Sequence, residues 1–184
     1  MIFCQEVQSP AKLEEKVVEK FGSGIYEFAF TGKESAVMWR RSDFDGDRRS
    51  VKGTDSSIIE IAERLQRPKS SVEVSEVPTR TAMIKLTSRK TGASFLAVSW
   101  HGPWRGKDDT VKLKTFNGLI CFLGEVCTCK DVKPSSFIIE GDFNLETSKE
   151  EVREVEEKYG VTISSYTLCT RDEEQPGPSF VPYN

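Results

Sequence analysis

The sequence predicts a single domain that mixes helices and strands. Apolar runs with the two-residue alternation of strands are interspersed with segments whose apolar residues recur every three or four positions, which is typical of helices. A length of 184 residues suits one domain with a full core. Neither an internal repeat nor a low-complexity linker divides the chain, so one mixed α/β domain over 1–184 is the simplest interpretation.

The composition is that of a soluble globular protein. Hydrophobic residues make up 37% and charged residues 30% of the chain. The formal net charge is −3, so the totals give no support for nonspecific binding to nucleic acid. No apolar run is long enough to span a membrane, and the N-terminus lacks the basic region of a signal peptide. We therefore expect an intracellular protein, cytoplasmic or nuclear, and the sequence leaves its oligomeric state open.

The cysteines predict free thiols rather than disulfides or a zinc site. There are five of them, an odd number, and no signal peptide precedes them. Cys127-Thr128-Cys129 follows Cys121 at the end of an apolar helical pattern. Zinc sites usually combine a Cys-x-x-Cys pair with a second pair or with histidines, and this chain has a single histidine. Structural zinc is therefore not expected.

The N-terminal segment predicts a strand followed by a helix. Met1 to Val7 is a short apolar run, and Ser9 then supplies an N-cap with Pro10 at the first helical position. Gly22 is the expected end of this helix. Four-residue spacing predicts the inward face of the helix as Leu13, Val17 and Phe21.

Two pairs of strands are predicted to form hairpins. Ile25 to Phe30 and Ser35 to Arg40 are strand-like runs joined by "TGKE". Arg80 to Leu86 and Ala93 to Trp100 form a second such pair around "TSRKTG". These hairpins supply much of the predicted β-structure.

Between the hairpins, Ser42 to Ser57 is predicted to be a solvated loop. Its "DFDGD" segment resembles a calcium loop, but the glycine is misplaced and no glutamate closes the twelfth position. The remaining predicted elements are a helix at Ile58–Leu65, a longer helix with the apolar stripe Leu113, Phe116, Ile120, Leu123 and Cys127, a strand at Phe137–Glu140, a helix capped by Ser148, a strand at Val161–Leu168, and a loop from Arg171 to Asn184.

Polar groups suited to a functional site follow three of the predicted strands. Glu6 follows the first strand, His101 follows "FLAVSW", and Asp142 with Asn144 follows "FIIEG". A rigid sheet fixes the spacing of groups at its strand ends, so functional residues commonly lie there. A carboxylate can bind a hard cation such as Mg²⁺, and a histidine or an amide can donate to a phosphate oxygen.

Each of these residues also has an ordinary structural interpretation. Glu6 could be a surface residue before a helix cap, and His101 a turn residue packed between Trp100 and Trp104. Gly-Asp is a common turn pair, and asparagine is common in loops. Spacing alone does not bring the strand ends together, so the residues by themselves leave both interpretations open.

Three motifs in order resemble the endonuclease/exonuclease/phosphatase superfamily. They are "CQEV" at 4–7, "FLAVSWHG" at 95–102 and "IIEGDFN" at 138–144. "AVMWRRSDF" at 36–44 and "RTAMIKL" at 80–86 are similar to the intermediate strands of the family. The resemblance covers nearly the whole chain. It implies an α+β fold of two packed mixed β-sheets flanked by helices, a four-layer α/β/β/α sandwich with the site at one edge.

The resemblance also implies roles for individual residues. Glu6 would bind a divalent cation, Mg²⁺ or Mn²⁺, and His101 would contact the scissile phosphate. Asp142 would orient or activate the attacking water, and Asn144 would hold a phosphate oxygen. Arg80 and Arg105 are weaker candidates for substrate binding: arginines at strand starts are often surface charges, and Asp108 and Asp109 follow Arg105 closely.

The chain departs from the family pattern at both ends. The family opens with a strand ending in an asparagine, for which Glu6 leaves no room, and closes with a Ser-Asp-His motif that is absent here. We expect a fragment of a metal-dependent phosphoesterase, of nuclease or phosphatase type, whose activity depends on completion by the missing Ser-Asp-His motif. The alternative is a catalytically inactive family member that serves as a binding module. The implied substrate is a phosphate ester, such as a nucleic acid or a phospholipid headgroup.

Overall fold

The computed structural model describes residues 1–31, 34–47, 77–103, 108–128 and 137–144, together with positions 153 and 157. Within these ranges the chain forms seven strands and three helices. In order they are β1 (Ile2–Gln5), α1 (Pro10–Phe21), β2 (Tyr26–Thr31), β3 (Ser35–Arg40), β4 (Phe44–Asp47), α2 (Val77–Arg80), β5 (Thr81–Ser88), β6 (Ser94–His101), α3 (Asp109–Thr128) and β7 (Phe137–Asp142).

The described strands form two sheets. The N-terminal sheet has the order β1-β3-β2, and both of its pairings are antiparallel. The C-terminal sheet has the order β4-β5-β6-β7, in which β6 and β7 are parallel and the other pairs antiparallel. Both predicted hairpins, β2–β3 and β5–β6, are confirmed. Parallel strands need a crossover connection, and α3 lies in the crossover between β6 and β7.

A first core lies between the two sheets. Alternate residues of β3 face alternate residues of β5 and β6, as the two-residue period of strands requires. Trp39 is completely buried in this layer. The other buried members of this cluster are Val37, Ala82, Ile84, Leu86 and Ala97.

A second core lies between the C-terminal sheet and α3. The opposite faces of β5 and β6 contribute Met83, Val98 and Trp100, and α3 contributes Phe122 and Leu123. The helix begins beside Asp108, whose carboxylate accepts the main-chain N–H of Val111 at 2.9 Å as an N-cap. With α1 beside β2 in the N-terminal sheet, the layers are α/β/β/α. The predicted α+β sandwich is therefore confirmed.

Helix α1 begins and ends where the sequence predicts. The Ser9 side chain accepts the main-chain N–H of Lys12 at 3.4 Å, and Gly22 is the C-cap with φ of 91°. The predicted inward face is only partly right. Val17 is buried, but Phe21 is 47% exposed and contacts the ring of Tyr26 edge-on at 5.4 Å. No described helix is long and apolar enough to cross a bilayer.

The predicted solvated loop at 42–57 is wrong in its first part, because β4 occupies Phe44–Asp47. Asp45 and Asp47 point outward, while Phe44 and Gly46 are partly buried. Gly46 lies against the indole of Trp39. The strand was missed because Asp and Gly are depleted in strands, although their alternation has the period of two. Residues 48–57 of that loop, the helix at 58–65, the strand at 161–168 and the tail from 171 lie outside the described residues. Of the helix capped by Ser148, only Arg153 and Glu157 are described; both are helical, and their side chains pair at 3.0 Å.

Candidate functional site

Strands β6 and β7 end side by side at one edge of the C-terminal sheet. Their parallel register places His101 opposite Asp142. Beyond the last pair, the Gly102 N–H donates to the Asp142 carbonyl at 2.7 Å. The side-chain amide of Asn144 then donates to the Gly102 carbonyl at 3.1 Å. The two segments that the sequence singled out therefore adjoin each other.

Two glycines permit this close approach. A Cβ at Gly141 would clash with the backbone of Trp100, and a Cβ at Gly102 would clash with the backbone of Phe143. Any larger residue at either position would have to push β7 away from β6. The glycines of "WHG" and "EGD" thus have a packing role beside the candidate site.

The segment after β7 forms a tight turn that presents Asp142. The main-chain N–H of Asn144 donates to Asp142 Oδ1 at 3.0 Å, as in an Asx turn. Asn144 has φ of 50°, a left-handed conformation that asparagine tolerates better than most residues. Asp142 is exposed, and its second oxygen, Oδ2, is the one that can face a bound water.

Glu6 directly follows β1, the strand of the other sheet that packs against β6 and β7. Ser99 of β6 links the sheets: its hydroxyl donates to the Cys4 carbonyl at 2.9 Å and accepts from Gln5 Nε2 at 3.0 Å. β1 therefore lies across from the ends of β6 and β7. Glu6 itself is exposed and has φ of 55°, which is unusual for glutamate.

His101 is a buried strand residue, not a turn residue. It is the last residue of β6 and only 7% exposed. Its Nδ1 is 3.5 Å from Glu34 Oε2, at the outer limit of a contact and without good hydrogen-bond geometry. Nδ1 has no hydrogen-bond partner among the described residues, so its contact with the Glu34 carboxylate is electrostatic.

Glu34 is the residue that the sequence analysis missed. It was assigned to a hairpin connection, but it directly precedes β3 and its carboxylate points to the end of β6. The Glu34 carbonyl also accepts the Val7 N–H at 3.5 Å, which links it to the turn that carries Glu6. The available signal was weak: an acidic residue directly before the buried run "SAVMW".

Of the two arginines proposed for substrate binding, Arg80 lies within the described residues. Arg80 ends α2, and its side chain is 20% exposed and paired with Glu34 at 3.2 Å. Arg105 lies outside the described residues. Asp108, which follows Arg105 closely in sequence, is exposed and caps α3.

The donor set at this edge fits Mg²⁺ rather than zinc. Within the described ranges, no three His, Cys, Asp or Glu side chains are grouped closely enough to hold a metal ion by themselves. Mg²⁺ needs fewer protein ligands, since it is often bound by one or two carboxylates plus water and substrate phosphate. Glu6 and Asp142 are exposed carboxylates of that kind. Beside them, burial raises the pKa of the Cys4 thiol, so this group stays neutral.

The two sheets and their flanking helices have the fold predicted from the resemblance to the endonuclease/exonuclease/phosphatase superfamily. The resemblance drawn from the sequence motifs is thereby confirmed at the level of fold. No family model matches the sequence, and no curated protein matches it.

The solved structures that resemble this chain include two members of that superfamily. The human Nocturnin catalytic domain with bound sulfate anion has a TM-score of 0.59 and 15% sequence identity. The match covers 96% of this chain and 63% of the Nocturnin chain. Danio rerio TDP2 complexed with a single-strand DNA product has a TM-score of 0.47 and 15% identity, over 83% of this chain and 50% of that one. This chain thus spans less than two thirds of either protein.

Proposed function

We propose that residues 1–184 form part of a phosphoesterase domain that hydrolyses a phosphodiester or phosphomonoester with the aid of Mg²⁺ or Mn²⁺. The observation that carries the proposal is the register of β6 and β7, which sets His101 opposite Asp142 and Asn144 against Gly102. A buried imidazole, an exposed carboxylate and an amide then lie together, and Glu6 follows the strand of the other sheet that packs against β6 and β7. These are the group types that phosphate-ester hydrolysis requires.

Asp142 is assigned the task of orienting or activating the attacking water. Its Oδ1 is held by the Asn144 N–H, so the carboxylate has a fixed orientation before any substrate binds. Exposure of the side chain leaves Oδ2 for a water molecule. A positioned general base of this kind typically contributes about 10²–10⁴-fold to the rate.

Asn144 and His101 are assigned to the phosphate itself. The Asn144 amide uses one N–H to hold the Gly102 carbonyl, and its second N–H can donate to a phosphate oxygen. His101 has Nδ1 toward Glu34, which leaves Nε2 for the substrate side. Donors fixed by a sheet edge stabilise developing charge without reorganisation.

Glu6 is assigned to the metal, and Asp142 is a further exposed carboxylate that could share it. A bound Mg²⁺ would supply positive charge to the phosphate oxygens during hydrolysis. The left-handed backbone of Glu6 supports this assignment, because non-glycine residues in such conformations cluster at functional sites.

The substrate class proposed is a phosphate ester of a nucleic acid or of a phospholipid headgroup. The human Nocturnin domain of the same fold was solved with a sulfate anion, which is tetrahedral like a phosphate group. The net charge of −3 makes tight nonspecific DNA binding the less favoured choice.

The proposal is tested with the full gene product that contains residues 1–184 and with two probes, bis(p-nitrophenyl) phosphate and p-nitrophenyl phosphate, over a Mg²⁺ titration with EDTA as the blank. We expect metal-dependent release of nitrophenol that Asp142→Ala reduces by at least about 10²-fold without unfolding the chain. Glu140→Gln is the matched control, because it removes one negative charge from the same face of β7 two residues earlier and should leave the rate unchanged.

A readout independent of turnover separates the enzyme from a binding module on the same fold. His101 is the only histidine, so its ring protons are unambiguous in NMR spectra. We expect Mn²⁺ to broaden these signals, and Glu6→Gln to abolish the broadening. Full activity in Asp142→Ala would sink the assignment of Asp142. Binding of Mn²⁺ without any hydrolysis would favour the binding module.

A further inference from the structure

We propose that Arg80 is a positioning residue for His101, acting through Glu34: the guanidinium fixes the Glu34 carboxylate, and that carboxylate orients the imidazole. The inference rests on the proposed function in one respect, since it assumes that the free side of the imidazole faces substrate. The arrangement of the three side chains does not depend on that assumption.

The three groups meet at a single oxygen. Glu34 Oε2 is 3.2 Å from Arg80 Nη1 and 3.5 Å from His101 Nδ1. Arg80 Nη1 also donates to the His101 carbonyl at 3.4 Å, so the guanidinium contacts both the carboxylate and the backbone of the histidine that it serves. The residues come from the starts of β3 and β5 and from the end of β6.

The Glu34 carboxylate needs a second partner to keep its orientation. Its side chain is 43% exposed, while the His101 side chain is 9% exposed. A long exposed side chain loses rotamer entropy when it is held in one place, and a lone exposed ion pair contributes little to stability. Arg80, with only 20% of its side chain exposed, is the more rigid partner of the two. The Arg80–Glu34 ion pair therefore holds the Glu34 carboxylate in position and contributes little to stability.

The backbone of Arg80 is itself fixed on both sides. Its carbonyl accepts the Ser35 hydroxyl at 2.9 Å, which links α2 to the start of β3 one residue after Glu34. The following residue, Thr81, is completely buried, and its hydroxyl donates to the Val77 carbonyl at 2.7 Å. Groups whose own supports are locked in this way hold a functional side chain most reproducibly.

The consequence for His101 is a defined tautomer. A carboxylate beside Nδ1 favours the neutral ring that carries its proton on Nδ1, because the other tautomer would turn a lone pair toward a negative charge. Nε2 is then the acceptor. Without Arg80 the carboxylate can rotate toward solvent, and the preference for the Nδ1–H form is lost.

The experiment uses the single histidine of the chain as its reporter. The protein is labelled with ¹⁵N-histidine, and long-range ¹H–¹⁵N correlation spectra, which distinguish the two neutral tautomers, are recorded at a pH where the ring is neutral. We expect the Nδ1–H form in the unmodified chain. Arg80→Met and Glu34→Gln should both shift the signals toward a mixture of tautomers, and Arg80→Lys should give an intermediate result because lysine keeps the charge but loses the planar fork.

Arg89→Met is the matched control. Arg89 follows the far end of the same strand β5 and pairs there with Asp45, both side chains being exposed. Its loss removes one arginine ion pair without touching the site edge, so the His101 spectrum should not change. Far-UV circular dichroism verifies that each variant is folded.

An unchanged His101 spectrum in either Arg80→Met or Glu34→Gln overturns the proposal. If Arg80→Met does not fold, Arg80→Lys decides: a partial shift supports the proposal and an unchanged spectrum overturns it. The NMR readout needs no turnover. An inactive chain that shows the expected shifts would therefore refute the proposed phosphoesterase function and leave the positioning role of Arg80 intact. In an active chain, we expect Arg80→Lys to lower kcat with KM within about twofold, whereas a substrate ligand would raise KM.

Discussion

At the residue scale, the two most unusual backbone conformations belong to residues that the sequence proposed for the site. Glu6 and Asn144 are the only described non-glycine residues with positive φ. Each costs of order 1–3 kcal/mol and persists only where surrounding contacts enforce it. For Asn144 the Asx turn could be predicted from "GDFN". The positive φ of Glu6 could not be predicted. The contact that holds this turn, from the Val7 N–H to the Glu34 carbonyl, joins residues that are distant in sequence.

A residue-scale prediction concerns Cys4 and pH. Burial raises the pKa of this thiol in the folded chain. When the pH rises above the ordinary value of about 8.5, the unfolded chain loses the proton first and binds fewer protons than the folded one. The free energy of unfolding should therefore be unaffected by Cys4 below that pH and should fall above it.

The measurement is urea unfolding from about pH 8 to about pH 10, the range around the ordinary thiol value. Cys4→Ala removes the titrating group, so its free energy of unfolding should fall less steeply than that of the unmodified chain. Parallel curves for the two proteins would contradict the prediction.

At the element scale, regular strands were predictable and the irregular edge strand was not. The hairpins β2–β3 and β5–β6 follow from alternating apolar residues and a glycine-containing turn. β4 has the same alternation, but its small glycine replaces an apolar residue because the Trp39 indole fills the space. A sequence pattern reveals a strand through its own apolar side chains. At Gly46 the apolar side chain is that of Trp39, which belongs to the other sheet.

Gly46 therefore gives a stability prediction. A Cβ at this position would lie 2.8 Å from Trp39 Cε2, and Trp39 is completely buried and cannot easily move. Gly46→Ala should lower the free energy of unfolding by about 1–3 kcal/mol, the usual cost of overpacking. Urea unfolding monitored by tryptophan fluorescence measures the change.

Gly124→Ala is the paired control. Gly124 lies in the interior of α3, and a Cβ there meets nothing within 4 Å. The same substitution should raise the free energy of unfolding by about 0.5–1 kcal/mol, since glycine is unfavourable inside a helix. If both variants shift in the same direction, the Trp39 contact is not what decides the effect at Gly46.

At the scale of the whole molecule, the motif order identified the fold and most of the proposed site, but not how the sheets are joined. Glu6, His101, Asp142 and Asn144 could be named from three motifs in sequence. Glu34 could not be named, because its partners Arg80 and His101 are distant in sequence and its own surroundings are those of an ordinary turn. The Ser99 link between the sheets was missed for the same reason.

Ser99→Ala tests that link. Ser99 is completely buried, and the substitution leaves the Cys4 carbonyl and the Gln5 amide without their partner. We expect the free energy of unfolding to fall by about 1–3 kcal/mol. We also expect weaker Mn²⁺ broadening of the His101 signals, because β1 carries Glu6.

Ser42→Ala serves as its control. The Ser42 hydroxyl bonds only to the neighbouring Asp43 among the described residues and is exposed, so its loss should change the free energy of unfolding by less than about 0.5 kcal/mol. A Ser99→Ala chain as stable as Ser42→Ala would show that the sheets are held together without this link.

The parallel pairing of β6 with β7 also determines when the site forms during folding. Both hairpins close through local contacts, and His101 is in place as soon as β6 has paired with β5. Asp142 and Asn144 arrive only after α3 has packed and the nonlocal crossover has closed, which is the slower kind of step. A partly folded chain can therefore hold both hairpins and have no site. In hydrogen exchange, we expect the amides of β7 to open before those of β5, so that loss of the site precedes loss of the fold.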